Sequence, residues 1–176
     1  MASTLQIPKI VAARSQLKTA IELWFADGDP VSLHTLACAA HQIIHDINTH
    51  QKGPDLIFDS AIIKDERRKE WVRRMKKEMN FFKHADTDPT ASIEFDPTAS
   101  EFFILMSIQG LLIFGLDGNV AETAFFRWFM LHNPDFLTPE GQQFLIDSIP
   151  IDIDEVRRLN KRDFFDVFRL DSRSND

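Results

Sequence analysis

The segment "DGDPVSLHTLACAAHQIIHDINTHQKGP", residues 27–54, decides the fold class. Asp29 is typical of a helix N-cap, and Pro30 suits the first helical position, where its missing N–H is not needed. Gly53 and Pro54 indicate the end of the helix, with Gly53 as the candidate C-cap. Apolar residues recur at helical spacing between these signals, so the segment predicts one long amphipathic helix.

The same helical periodicity dominates on both sides of this segment. The predicted helices cover 8–26, 30–52, 61–85, 99–116, 120–132, 138–149 and 154–170. Residues 86–98 form a connecting loop, the tail 171–176 is expected to fray, and "SIEF" at 92–95 is the one short strand candidate. Residues 1–176 therefore predict one all-α domain, a bundle of about six or seven helices. The aromatic-rich fourth, fifth and seventh helices are expected to pack around the first two.

Composition fits a chain with a substantial core, since 176 residues at 44% hydrophobic content can bury most of their apolar surface. The single cysteine, Cys38, excludes an intramolecular disulfide and favours the reducing cytoplasm. No signal peptide and no membrane span are expected. The most apolar stretch, "FFILMSIQGLLIFGL" at 102–116, is interrupted by Gln109 and Gly110 and is interpreted as a central buried helix.

Charge is unevenly distributed along the chain. The net charge is −7, yet residues 64–84 hold nine Lys/Arg and four Asp/Glu, a local charge of +5 that leaves −12 elsewhere. The acidic total argues against nucleic-acid binding by the chain as a whole. The basic segment is either a solvated helix face or a surface for RNA or an acidic protein partner. The candidate nucleic-acid-binding residues are Arg73, Arg74, Lys76 and Lys83.

The predicted third helix carries a polar stripe formed by Arg73, Lys77, Asn80 and His84. The apolar positions Val72, Met75, Met79 and Phe82 lie on its other side. A histidine beside an amide and cations can act as a general acid or base on a ribose hydroxyl, while the cations offset phosphate charge. His84, Asn80 and Lys77 are therefore the candidate catalytic residues. The alternative is a set of polar residues on a solvated helix face.

The predicted second helix carries a histidine stripe beside its apolar face. Its members, within a band of roughly 80°, are His34, Cys38, His41, His45 and Asn48. His34, His41 and His45 form the alternative metal set, because histidines four residues apart can share a metal. "HDIN" at 45–48 also resembles the His-Asp dipeptide of HD-type phosphohydrolases. Hydrogen-bonded histidines at a helix–helix seam are the other interpretation, and no cofactor is expected.

The predicted α-hairpin followed by a basic helix ending "NFFKHAD", residues 80–86, resembles the HEPN (higher eukaryotes and prokaryotes nucleotide-binding) superfamily. These all-helical domains are common in bacterial toxin–antitoxin and defence systems. The family's site is an arginine, usually followed at once by a polar residue, with a histidine a few residues further on. Asn80 and His84 match the polar residue and the histidine. Met79 stands where the arginine would be, and Lys77 lies at a spacing from His84 that the family permits.

This resemblance implies a homodimer in which two such motifs face each other and cleave RNA without a metal. Because the arginine is missing, the resemblance favours a non-catalytic or weakly active regulatory module that binds RNA or a protein partner. Two alternatives remain open from the residues themselves. One is an active metal-independent endoribonuclease with His84 as acid or base and Lys77 and Arg73 as phosphate clamps. The other is a metal-binding helical protein or HD-like phosphohydrolase that uses the histidine stripe.

Overall fold

A computed structural model describes residues 4–56, 64–147 and 153–173. The α-helices are α1 (Lys9–Phe25), α2 (Pro30–His50), α3 (Asp65–Met75), α4 (Lys77–Lys83), α5 (Ala99–Ile113), α6 (Val120–His132), α7 (Pro139–Asp147), α8 (Ile153–Arg158) and α9 (Lys161–Arg173). A short 3-10 helix, Pro134–Phe136, joins α6 to α7. These ranges contain no strand, so the all-α prediction is confirmed and "SIEF" at 92–95 is irregular backbone.

The hairpin of α1 and α2 forms the centre of the bundle. The predicted N-cap of α2 is confirmed, because the Ser32 backbone N–H donates to Asp29 Oδ1 at 2.7 Å. Helix α5 packs closely along α2. Gly110 permits this close approach, since a Cβ at that position would lie 2.4 Å from Ile44 Cγ2. The missing side chain of Gly110 therefore sets the distance between the two helices.

Aromatic side chains join α6 and α9 to α1. The Trp24 ring meets the Phe125 ring edge-on with centroids 4.9 Å apart, and Phe25 stacks on Phe165 at 4.4 Å. Asp27 and Trp24 also hold the start of α9, because Lys161 Nζ lies 3.2 Å from Asp27 Oδ1 and 4.0 Å from the Trp24 ring centroid. The predicted packing of the aromatic helices around the first hairpin is thus confirmed.

Two helices predicted as continuous are each divided. The predicted helix 61–85 breaks at Lys76, whose backbone lies at φ −94° and ψ 2°. Neither proline nor glycine marks this break in the sequence, and nothing in the local sequence accounts for it. The predicted helix 154–170 breaks at Asn160, which caps α9 by accepting the Asp163 backbone N–H at 2.9 Å. That N-cap signal was visible in the sequence and was missed.

Other helix ends differ by a few residues from the prediction. Helix α9 continues to Arg173, so the first three residues of the expected frayed tail are helical. Positions 61–63, 148–149 and 174–176 of the predicted elements lie outside the described residues. The expected C-cap at Gly53 was wrong, because Gln51 is the C-cap of α2 and Lys52 takes the left-handed conformation at φ 56°.

Helix α5 is not the fully buried helix that the sequence predicts. Its inner face, which includes Phe103, Ile104 and Leu111, is buried against the hairpin and α6. Its outer face leaves Phe102 and Leu112 exposed. Among the described residues, no helix has the length and the apolar content that crossing a bilayer requires.

Candidate functional site

The basic segment forms α3 and α4, and α3 has no buried residue. Two of its arginines pair with carboxylates on the same helix, Arg67 with Glu70 at 2.9 Å and Arg68 with Asp65 at 3.0 Å. The cations Lys69, Arg73 and Arg74 are exposed, and none of them has a carboxylate within ion-pair distance among the described residues. Helix α3 therefore presents uncompensated positive charge to the solvent.

The break at Lys76 divides the polar stripe between two neighbouring hollows. The first, of about 720 Å³, is called here the α3 hollow. Its polar lining consists of Asp65, Arg68, Lys69, Arg73, Lys76 and Asn80. Four of these side chains are cations and one is the Asp65 carboxylate, which pairs with Arg68, so the α3 hollow has an excess of positive charge. Arg73 thereby shares a hollow with Asn80 but not with Lys77 or His84.

The second hollow, of about 820 Å³, is called here the His84 cavity. Its polar lining consists mainly of Lys77, Asn80, His84, Asp86, Asp88 and Glu94. The structure thus brings the three predicted catalytic residues to one cavity. It also places three carboxylates around them, which were not among the predicted site residues because they follow the end of the basic segment at His84. Those carboxylates were visible in "DTDP" and "SIEF".

His84 lies at the end of α4 rather than inside a helix. It is the C-cap residue, with extended backbone at φ −130° and ψ 134°, and its N–H donates to the Asn80 carbonyl at 3.1 Å. Asn80 lines both hollows, whereas Arg74 and Lys83 line neither and are simply exposed. Asn80 therefore marks the boundary between the positive hollow and the cavity with the carboxylates.

Met79 points away from both hollows. Its side chain is only 8% exposed and belongs to the apolar core. Asn80, the next residue, is exposed because one step along a helix turns the side chain by about 100°. The position that corresponds to the arginine of the resembling family therefore faces the core of this chain.

His34, the first histidine of the α2 stripe, is held by packing contacts and hydrogen-bond partners. Its Nδ1 lies 3.0 Å from Ser100 Oγ and its Nε2 lies 3.3 Å from Cys38 Sγ. Three aromatic rings meet the imidazole edge-on, those of Phe82, Phe95 and Phe103. Burial lowers the pKa of His34 and raises the pKa of the Cys38 thiol to about 12. His34 therefore joins α2 to α4, α5 and the loop before α5 as a neutral side chain.

His41 and His45 lie further along the same helix, with ring centroids 6.3 Å apart. His41 is fully buried, and its burial, aided by the nearby charges of His45 and Lys76, lowers its pKa to about 3. Within the described residues, no group of three or more His, Cys, Asp or Glu side chains is arranged to hold a metal. His34, with both ring nitrogens engaged by Ser100 and Cys38, is not brought into one site with the other two.

Comparisons with protein-family models, curated proteins and solved structures find no match to this chain. The HEPN resemblance therefore stays a prediction based on the "NFFKHAD" segment, and the functional proposal rests on the two hollows.

Proposed function

We propose that this chain is a helical binding module with little or no catalytic activity, and that the α3 hollow binds the backbone of single-stranded RNA. The observation that carries the proposal is the excess of four cations over the single carboxylate of Asp65 in the α3 hollow of an acidic chain. Arginine and lysine donate charge-assisted hydrogen bonds to phosphate oxygens. Neutralising phosphates with such cations supplies most of the sequence-independent affinity for nucleic acids.

The lining of the His84 cavity supports weak catalysis or none. RNA cleavage develops negative charge on phosphate oxygens, which an active site stabilises with fixed donors and cations. In the His84 cavity, Lys77 is outnumbered by Asp86, Asp88 and Glu94. A phosphate beside His84 would meet repulsion from these carboxylates, and the buried Met79 supplies no guanidinium.

The binding proposal is tested with a fluorescein-labelled single-stranded RNA and fluorescence anisotropy over a range of salt concentrations. The Lys69→Glu/Arg73→Glu variant should bind far more weakly, and each lost phosphate contact should reduce the slope of log affinity against log salt by about 0.7. The control variant, Lys9→Glu/Arg162→Glu, changes the net charge equally but alters exposed cations on α1 and α9. Equal loss of binding in both variants, or a wild-type chain without affinity at low salt, would contradict the proposal.

A second measurement distinguishes RNA from an acidic protein partner. Poly-glutamate should displace labelled RNA only at much higher charge concentration, because RNA also offers bases whose apolar faces can pack against Val72, which lines the α3 hollow. If poly-glutamate displaces the labelled RNA as well as unlabelled RNA does per unit charge, the α3 hollow is a site for acidic proteins instead.

Catalysis is tested by incubating the same RNA with the protein in EDTA. We expect at most slow cleavage. Rapid cleavage that is lost in His84→Ala, and kept in a His50→Ala control at the exposed end of α2, would replace this proposal with the endoribonuclease alternative. We also propose, from the family resemblance, that the chain acts as a homodimer.

A further inference from the structure

The His84 cavity differs from the α3 hollow in the chemistry of its walls. It combines the Lys77 ammonium and the half-buried Phe81 ring with three carboxylates. None of the four charged side chains forms an ion pair or a hydrogen bond with another described residue. The cavity therefore offers a donor, several acceptors and an aromatic wall to a ligand. The carboxylates are those of Asp86, Asp88 and Glu94.

The cavity adjoins the proposed site for the RNA backbone. Asn80 lines both hollows, and Lys77 lies one helical turn before it on α4. A strand whose phosphates lie in the α3 hollow can therefore place a neighbouring base in the His84 cavity. The cavity volume of about 820 Å³ is within the range of small-molecule pockets, so it can hold a base.

We propose that the His84 cavity is a pocket for one base of the bound RNA strand, and that it prefers guanine. This inference rests on the proposed RNA binding at the α3 hollow and adds a sequence preference to it. Proteins recognise single-stranded RNA through unstacked bases that lie on aromatic rings and form hydrogen bonds along their edges. Phe81 supplies such a ring, and the carboxylates that repel a phosphate do not repel an uncharged base.

Guanine is the base whose edges match the groups of the cavity. An ionised carboxylate only accepts hydrogen bonds, and its two oxygens can accept two parallel bonds. Guanine presents two adjacent donors, N1–H and the N2 amino group, that can pair with both oxygens. Its other edge presents the acceptors O6 and N7, to which lysine commonly donates. Lys77 and one carboxylate therefore provide partners for both edges of guanine.

The other three bases leave part of this set unmatched. Uracil has one donor, N3–H, between two carbonyl oxygens that a carboxylate repels. Cytosine and adenine each have one amino group beside a ring nitrogen that accepts, so each pairs with one carboxylate oxygen only. We therefore expect guanine to bind most tightly and uracil least tightly.

The test compares fluorescein-labelled oligouridines of about 12 nucleotides that carry uracil, guanine or hypoxanthine at one central position. In fluorescence anisotropy, the guanine-containing RNA should bind about 10-fold more tightly than the all-uracil RNA. Hypoxanthine lacks only the N2 amino group of guanine and should lose most of this gain. The three RNAs should share one salt dependence, because a base contact releases no counterion from a phosphate.

A variant without the three carboxylates tests whether they cause the preference. Asp86→Asn/Asp88→Asn/Glu94→Gln keeps the size of each side chain but replaces one acceptor oxygen of each with an amino donor. We expect the preference for guanine to fall below about 2-fold, since the new amino groups oppose those of guanine. Binding of the all-uracil RNA should stay equal or become slightly tighter, because negative charge near its phosphates is removed.

The control variant removes the same charge elsewhere and should keep the preference. It is Asp135→Asn/Glu140→Gln/Asp147→Asn, at three exposed residues of α7 and of the short 3-10 helix before it. Equal affinity for the guanine and uracil RNAs, or a preference that the variant without the cavity carboxylates keeps, would overturn the base pocket and leave the backbone site intact. A wild type that binds none of the RNAs at low salt would overturn the backbone site and the base pocket together.

Discussion

Arg14 of α1 and Glu122 of α6 form a two-pronged ion pair across 108 positions of sequence. Arg14 Nε donates to Glu122 Oε1 at 3.0 Å, and Arg14 Nη2 donates to Oε2 at 2.8 Å. The hydrogen bond to Glu122 is the main cause of the raised pKa of Arg14. The same carboxylate accepts the Asn119 backbone N–H at 2.9 Å and completes a capping box. Glu122 therefore fixes the start of α6 and attaches it to α1.

Replacing this carboxylate by an amide should destabilise the bundle. Glu122 is buried and Arg14 is partly exposed, so we expect Glu122→Gln to lower the free energy of unfolding by about 2–3 kcal/mol. The melting temperature should fall by roughly 5–10 °C in differential scanning calorimetry. The control is Glu22→Gln, which breaks the exposed pair with Lys18 and should change stability by less than about 0.5 kcal/mol. Equal losses of stability in Glu122→Gln and Glu22→Gln would show that the buried ion pair stabilises the fold no more than the exposed one.

Acid should destabilise the fold through the buried His41. Its pKa is about 3 in the folded chain and about 6.5 in the unfolded chain, so only the unfolded state gains a proton between these values. The stabilising effect of neutral His41 is complete above pH 6.5 and is lost as the pH falls. We expect a loss of about 2 kcal/mol between pH 7 and pH 5, measured by urea denaturation. His41→Gln should flatten this pH dependence, whereas His50→Gln should leave it unchanged.

The contact between Gly110 and Ile44 should make α5 intolerant of a methyl group. Gly110→Ala gains helix propensity but forces its Cβ against Ile44 Cγ2, so we expect a net loss of about 1–2 kcal/mol. Ile44→Leu removes the branch at Cβ, and combining it with Gly110→Ala should recover at least about 1 kcal/mol relative to additivity. Strict additivity in this double-mutant cycle would refute the steric explanation.

Introducing an arginine at position 79, where the resembling family has one, should not create a ribonuclease. Met79→Arg places a guanidinium at a core position, so we expect a loss of about 2–4 kcal/mol in stability and no increase in RNA cleavage. Met79→Leu is the matched control and should be nearly neutral. An increase in cleavage by a folded Met79→Arg variant would mean that the arginine can reach the His84 cavity.

Local signals in the sequence predicted most of the helices. Asp29 with Pro30 marked the start of α2, and α6 was predicted with the bounds that the structure shows, Val120–His132. These features depend on a few neighbouring residues, which a single sequence contains. The break at Lys76 and the exposure of Phe102 and Leu112 on α5 have no local signal in the sequence.

The candidate site was predicted only in part, because local spacing predicts the positions of some of its residues and not of the others. Helical spacing was sufficient to bring Lys77, Asn80 and His84 together. The opposing carboxylates come from the loop 86–98, whose path no periodicity predicts. The ion pair of Arg14 with Glu122 joins helices that lie far apart in sequence and left no pattern to detect.

The left-handed turns after α1 and α2 show that this sequence stops short of the greatest stability its own backbone allows. Asp27 at φ 48° and Lys52 at φ 56° occupy a conformation that disfavours residues with a Cβ by roughly 1–2 kcal/mol, while the glycine follows one position later in each turn. A glycine at position 27 or 52 would relieve that strain, provided that Gly28 and Gly53 stay, because a Cβ at either of them would clash with Leu23 or Asn48. Proteins in general lie above a threshold of stability and below the optimum, and these two turns are places where this chain can gain stability.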